Sequence, residues 1–249
     1  MFPCFEQPSL KATFTFSAQS PADWVVVSNE DALEDAAKVE ALATSIANVA
    51  AQFVDHPELK IEGAKSFVFP TSFSISTYLY AIAAGNYGFY ERKTEGLPNM
   101  RIYARQSLMG DVNKDLMFDV TESGIVFYED FFQTKYPFRK YDQIFVPEHA
   151  AGAMENVGLV TYNESYLFRG ETPTLAKKLR FSITNLHELA HMWFGDLVTM
   201  KWWNDLWLNE SFATFMSFLA MERCPRISQF HDTCWVTFLT YKFWGVSTD

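Results

Sequence analysis

The sequence predicts an α+β chain, a β-rich first part followed by a helix-rich second part that carries a metal-type motif. Three observations predict it. Up to about residue 92 the chain runs through short apolar and aromatic stretches, such as Trp24-Val25-Val26-Val27 and Phe67-Val68-Phe69-Pro70, broken by turn residues. Beyond residue 172, apolar side chains recur at helical spacing over long segments. Between these parts lies Glu91-Arg92-Lys93-Thr94-Glu95-Gly96-Leu97-Pro98-Asn99. It is polar and broken by Gly and Pro, and it predicts a domain boundary that divides the chain into 1–96 and 97–249.

Composition narrows the function classes. A chain of 249 residues, 49% of them hydrophobic, can bury a sizeable core as one large domain or two smaller ones. Its formal charge of −10 speaks against nucleic acid or an anionic membrane as a partner. Cys4, Cys224 and Cys234 are odd in number and lack metal-type spacing, so a disulfide framework is not expected and a reducing compartment is. No apolar run reaches the roughly 18 residues that a membrane helix needs. Met1-Phe2-Pro3-Cys4-Phe5-Glu6 lacks the charged-then-apolar layout of a signal peptide, which gives a cytoplasmic expectation. Nothing in the composition specifies an oligomeric state.

In chain order, Ala12-Thr13-Phe14-Thr15-Phe16 alternates and Trp24–Val27 is β-branched, so residues 1–30 read as strands. Residues 31–54 are Ala-rich without Pro or Gly and favour a helix. Phe67–Pro70 and Tyr78-Leu79-Tyr80-Ala81-Ile82 return to strand-like runs. Ile102-Tyr103-Ala104 predicts another strand. Asn113 to about Thr134 predicts a helix with Leu116, Val120, Ile125, Tyr128 and Phe132 inward. Gln143–Pro147 and Gly158–Tyr162 read as strands flanking Gly152-Ala153-Met154-Glu155-Asn156, and Ile227–Trp244 reads as an aromatic helix packed into a core.

The next helix is marked by Thr172-Pro173 as cap and first helical position, and by Gly195 as its stop. Leu175, Leu179, Ile183, Leu186, Ala190 and Phe194 form its apolar face. It carries His187-Glu188-Leu189-Ala190-His191, two imidazoles at i and i+4 on one helical face, with a carboxylate just after the first. Two neutral imidazoles suit Zn²⁺, and Glu188 sits beside such an ion, placed to take a proton from water. The plain alternative is a pair of buried core histidines. A further helix is expected after Trp203-Asn204-Asp205, capped by Asn or Asp. It carries Glu210, eighteen residues beyond His191, in a run rich in Trp and Phe where an unpaired carboxylate would be costly to bury. His187, His191 and Glu210 make a His₂Glu set that leaves a fourth position open, as a catalytic zinc site requires. Gly152 and Ala153 leave an edge strand free to pair with an extended peptide, and Glu155 can meet a cationic α-amine.

His187–His191, eighteen residues and then Asn209-Glu210 resemble the gluzincin metallopeptidases. Gly152–Asn156 resembles the exopeptidase signature of the aminopeptidase N and puromycin-sensitive aminopeptidase family, family M-one. Phe2-Pro3-Cys4-Phe5-Glu6-Gln7-Pro8, Lys11-Ala12, Ser76-Thr77-Tyr78-Leu79 and Trp193–Thr199 are similar to the same family in the same order. The resemblance implies the end of a β-rich N-terminal domain in 1–96 and the first part of a thermolysin-like catalytic domain in 97–249. It implies a zinc aminopeptidase with one Zn²⁺ per chain on His187, His191 and Glu210, and Glu188 as general base. Gly152, Ala153, Met154, Glu155 and Asn156 would bind peptides with a free N-terminus.

The chain departs from that family in three places. Residues 31–54 stand where the family has a short hairpin or loop, and they read as a helical or irregular insertion. The family's oxyanion-stabilising tyrosine falls about sixty residues past the third ligand, beyond Asp249; Tyr241 is too close and reads as core. A Gln-x-Glu segment that helps hold the amine would precede the first residues of this chain. Both gaps read as the mark of a fragment, one that forms the zinc site and turns over weakly or not at all alone. Two other classes stay open, a thermolysin-like endopeptidase, which has no need of Gly152–Asn156, and an inactive scaffold.

Overall fold

The computed structural model describes residues 3–50, 63–170 and 172–247. In its first part, β1 (Lys11–Ala12), β2 (Phe16–Ser20), β3 (Val25–Ser28), α1 (Ala36–Ala50), β4 (Lys65–Phe69), β5 (Ile75–Ser76) and β6 (Ile82–Gly85) follow one another. The strands form three antiparallel pairs, β1 with β5, β2 with β4 and β3 with β6. Val26, Phe67 and Phe69 are buried together, and the Phe16 ring stacks on Phe69 at 5.3 Å. β1 and β2 interrupt the strand expected over residues 12–16, because Phe14 pairs with Ser72 instead, N–H to hydroxyl and carbonyl to N–H. The helix expected in 31–54 is α1, entered through Asp35, whose carboxylate accepts from the N–H groups of Ala37 and Lys38. Residues 51–54 lie outside the described residues.

The run Tyr78–Ile82 is a single 3₁₀ turn, Thr77–Leu79, leading into β6, and not the continuous strand its composition predicts. Asn29 explains the difference. Its buried carboxamide donates to the carbonyls of Leu79 and Val157, at 2.9 and 2.8 Å, and accepts from Ala81 N–H at 3.1 Å. Backbone groups that a ladder would use are thereby satisfied by a side chain.

The second part holds β7 (Tyr87–Arg92), β8 (Asn99–Arg105), α2 (Lys114–Phe132), β9 (Lys140–Val146), β10 (Ala153–Met154), β11 (Leu159–Asn163), α3 (Leu175–His191), α4 (Leu206–Arg223) and α5 (His231–Ser247). Its sheet has the order β10-β11-β9-β8-β7. β8–β9 and β9–β11 are parallel, and the two outer pairs are antiparallel. α2 makes the crossover between parallel β8 and β9, capped by the Asn113 side chain on Leu116 N–H. Polar residues 93–98, where the sequence places its domain division, form the turn that joins β7 to β8 within this one sheet.

α3 packs on α2 at Gly124, where a Cβ would fall 2.5 and 2.7 Å from the side chains of Leu186 and Leu189. The α+β expectation is therefore borne out, with a β-rich first part and helices α2–α5 sharing one hydrophobic core with strands β8, β9 and β11. Among the described residues no helix is long and apolar enough to cross a membrane.

The two parts meet at Gly158. Its φ of +68° favours glycine, and an added Cβ would lie 2.5 Å from the Asn29 carbonyl oxygen. Gly158→Ala is expected to destabilise the chain by about 3 kcal/mol, combining left-handed strain with a backbone clash. A thermal melt would show a Tm lower by roughly 6–12 °C. Gly96→Ala is the control. Its φ is +80° with open space around it, so only the smaller strain cost remains.

Candidate active site

α3 ends in the predicted motif, though two of its boundaries differ from those read in the sequence. Thr174, not Thr172, caps it, with its hydroxyl accepting from Lys177 N–H at 3.3 Å. Two threonines flank Pro173, and burial of Leu179, Leu186 and Leu189 decides the register. The helix stops at His191, before Gly195. Asp196 N–H turns back to the His191 carbonyl at 2.9 Å. Gly195 has φ +138°, and a Cβ there would meet Asn209 Oδ1 at 2.7 Å and His191 Nδ1 at 3.1 Å. The glycine is required by that close approach. Asp205 precedes α4 through a 3₁₀ turn, Trp203–Asp205, but its side chain makes no capping bond.

α3 and α4 together assemble three ligand-type side chains. Glu210 Oε2 lies 3.2 Å from His187 Nε2 and 3.6 Å from His191 Nε2, and the two Nε2 atoms are 3.0 Å apart. His187, His191 and Glu210 each offer a ligand atom within 4.8 Å of the others. The opposite ring nitrogens are already engaged. His191 Nδ1 lies 3.0 Å from Asn209 Oδ1 and 3.2 Å from the Phe194 carbonyl, and His187 Nδ1 lies 3.3 Å from Thr214 Oγ1. With Nδ1–H donating to those oxygens, both Nε2 lone pairs face one point, which only a proton or a cation can satisfy. This donor set fits a divalent ion of the zinc type.

The charge balance points the same way. Burial pulls His191 down, but the Glu155 carboxylate, the hydrogen bond to Glu210 and the Glu188 carboxylate outweigh it and hold the imidazole up at about 10. Burial pulls His187 down further than Glu210 raises it. Hydrogen bonds from both histidines hold Glu210 well below the usual carboxylate range. Glu188 is raised well above that range by burial and then by Glu155. So many acidic groups around two imidazoles leave a deficit of positive charge, and a dication would offset it.

Glu210 is less enclosed than its aromatic neighbourhood predicts. Its side chain is half-exposed, because Trp202, Trp207 and Phe215 face outward. Glu188 and Glu155 are buried beside the ligand set. Glu155 follows β10, the edge strand in which Ala153 and Met154 pair with Tyr162 and Thr161. Gly152 sits against Tyr166, whose hydroxyl would be 2.9 Å from an added Cβ. Asn156 is turned to Thr161 Oγ1 at 3.1 Å, so it shapes the turn after β10 and does not join the histidines. Tyr241 lies along α5, and its side chain is outside the described residues.

Sequence reasoning passed over Asn209 and Thr214 as orienting residues. Their signal was present: Asn209 adjoins Glu210, and Thr214 follows it by one helical turn. It also missed how the first residues brace the loop between α3 and α4. Lys11 Nζ donates to the Asp196 and Leu197 carbonyls at 2.8 and 3.4 Å, Ser9 to the Lys201 carbonyl, and Trp203 Nε1 to the Glu6 carbonyl.

The Peptidase family M1 domain matches residues 116–247, more than half of the chain, and the Peptidase M1 N-terminal domain matches residues 1–44. The chain is 40% identical to aminopeptidase N of Streptomyces lividans over its whole length, covering 26% of that protein. It is 38% identical to aminopeptidase M1-D of Oryza sativa subsp. japonica over 89% of its length, and 35% identical to human endoplasmic reticulum aminopeptidase 1 over 88%. Those matches cover 23% and 21% of the two proteins, so the chain spans about a quarter of the length of the curated relatives it matches. Matched by family over both its first and its later part, the chain belongs to peptidase family M1.

Proposed function

We propose that the chain carries the centre of a zinc-dependent aminopeptidase that removes the first residue of peptides with a free N-terminus. The observation that carries this is the meeting of His187, His191 and Glu210 with Glu188 and Glu155 buried beside them. His187 Nε2, His191 Nε2 and Glu210 Oε2 would hold the ion. When bound, zinc supplies Lewis acidity, polarising a peptide carbonyl and lowering the pKa of water.

The chain's own groups do the rest. Asn209 Oδ1 and the Phe194 carbonyl fix the His191 tautomer, and Thr214 holds the His187 ring. Glu188, beside the ligands, takes the proton of the attacking water and passes it to the leaving amine. The open edge of β10 pairs with an extended peptide, and Glu155 receives its α-ammonium. That contact limits cleavage to the first bond.

The test compares free and N-acetylated alanyl-, leucyl- and arginyl-aminocoumarin with zinc supplied. Whatever hydrolysis the zinc-loaded chain supports is expected on the free amines alone, with Glu155→Gln raising KM for them at least tenfold, about 1.4 kcal/mol for a lost charge-assisted contact. Equal cleavage of acetylated substrates would favour an endopeptidase instead.

A further inference from the structure

Behind the ligand helix lies a polar circuit that the proposed chemistry does not use. Asn185, two residues before His187 on α3, is fully buried. Its Nδ2 donates to Gln143 Oε1 at 2.8 Å and to Tyr162 Oη at 3.3 Å. Gln143 Nε2 donates to Thr121 Oγ1 at 3.1 Å. The Thr121 hydroxyl closes the ring, its proton shared between Asn185 Oδ1 at 3.3 Å and the Met117 carbonyl at 2.8 Å. Thr121, Gln143, Asn185 and Tyr162 are each 0% exposed. The ring thus ties α2, β9, β11 and α3 together through side chains alone.

A buried contact between a helix and a sheet is ordinarily apolar. Polar groups there lose their water, and each hydrogen bond returns little net stability. What the ring supplies is direction, since hydrogen bonds weaken steeply with distance and angle where apolar contacts slide. A rotation of α3 by about 10° would move side-chain tips roughly 6 Å from its axis by about 1 Å. Metal–ligand distances tolerate about 0.2 Å. Leu186 and Leu189 on Gly124, and Phe181 beside Tyr162, hold α3 in place, but apolar contacts constrain its rotation less sharply than hydrogen bonds do. We infer that Asn185 is a positioning residue: closed on Thr121 and Gln143, it sets the rotation of α3 and so aims His187, Glu188 and His191 at one point. The inference rests on the reading of His187, His191 and Glu210 as zinc ligands.

The test measures zinc affinity by competition with a chelator, alongside Tm, on the whole chain. Asn185→Leu leaves the buried Gln143 Oε1 without its donor, and it is expected to lower both Tm and zinc affinity, the latter at least tenfold. The triple variant Thr121→Val, Gln143→Leu, Asn185→Leu makes the contact apolar except for the Tyr162 hydroxyl. It is expected to recover Tm while zinc affinity stays at least tenfold low, which a merely structural ring would not do. Thr121→Val alone keeps the shape and opens the ring. It guards against a triple variant that fails to fold, with zinc affinity expected about threefold low and Thr121→Ser restoring it. Wild-type zinc affinity in the triple variant, or in both Asn185→Leu and Thr121→Val, overturns the positioning role alone. A wild-type chain that binds no zinc overturns the metal reading, and this inference with it.

Discussion

Glu188→Gln is expected to lower hydrolysis of an unblocked aminoacyl substrate by about 10²–10⁴-fold, whatever rate the zinc-loaded chain supports, while zinc stays bound. The amide has the shape of the carboxylate and cannot take a proton. Glu188 is buried next to the ligands and is not one of them, so the ion should be retained. Burial and then the Glu155 carboxylate push its carboxyl well above the usual carboxylate range in the metal-free site. A dication at the histidines pulls it back toward the ionised form that a general base needs. Parallel measurement of kcat/KM and zinc content decides the matter. Retained zinc with an unchanged rate would remove Glu188 from the chemistry.

Glu210→Ala should act on binding instead. Structural zinc sites hold the ion with about 10–16 kcal/mol, so one ligand of three or four accounts for roughly 3 kcal/mol. Zinc affinity should therefore fall about 10²-fold or more. His187 and His191 stay on α3 in this variant, so a weak two-imidazole site remains. Chelator competition measures the change, and an affinity within threefold of the unmodified chain would place the third ligand elsewhere.

How much of this was legible in the sequence follows from the reach of each signal. His187, Glu188 and His191 were readable because helical periodicity places i and i+4 together, and Glu210 because its helix is marked beside them. The open edge of β10 was readable from two small residues between strand-like runs. Asn29 was not, because its partners at Leu79 and Val157 lie 50 and 128 residues away and leave no local pattern. The Asn185 ring was hidden for the same reason, since Thr121 and Gln143 look like ordinary polar positions until α2 and β9 meet α3. Residues 93–98 have a composition that fits a linker and a hairpin turn equally, and only the pairing of β7 with β8 tells them apart. Trp207 and Phe215 belong to an aromatic run that suggests enclosure, yet both face solvent and leave Glu210 half-exposed.

The most direct measurement is zinc content combined with X-ray absorption at the zinc edge, on the chain loaded with zinc and dialysed. One zinc per chain is expected, in a first shell of nitrogen and oxygen at about 2.0–2.1 Å with the scattering signature of imidazole. A sulfur shell at about 2.3 Å, which would draw on Cys4, Cys224 or Cys234, or a chain that keeps no zinc, would contradict the site built on His187, His191 and Glu210.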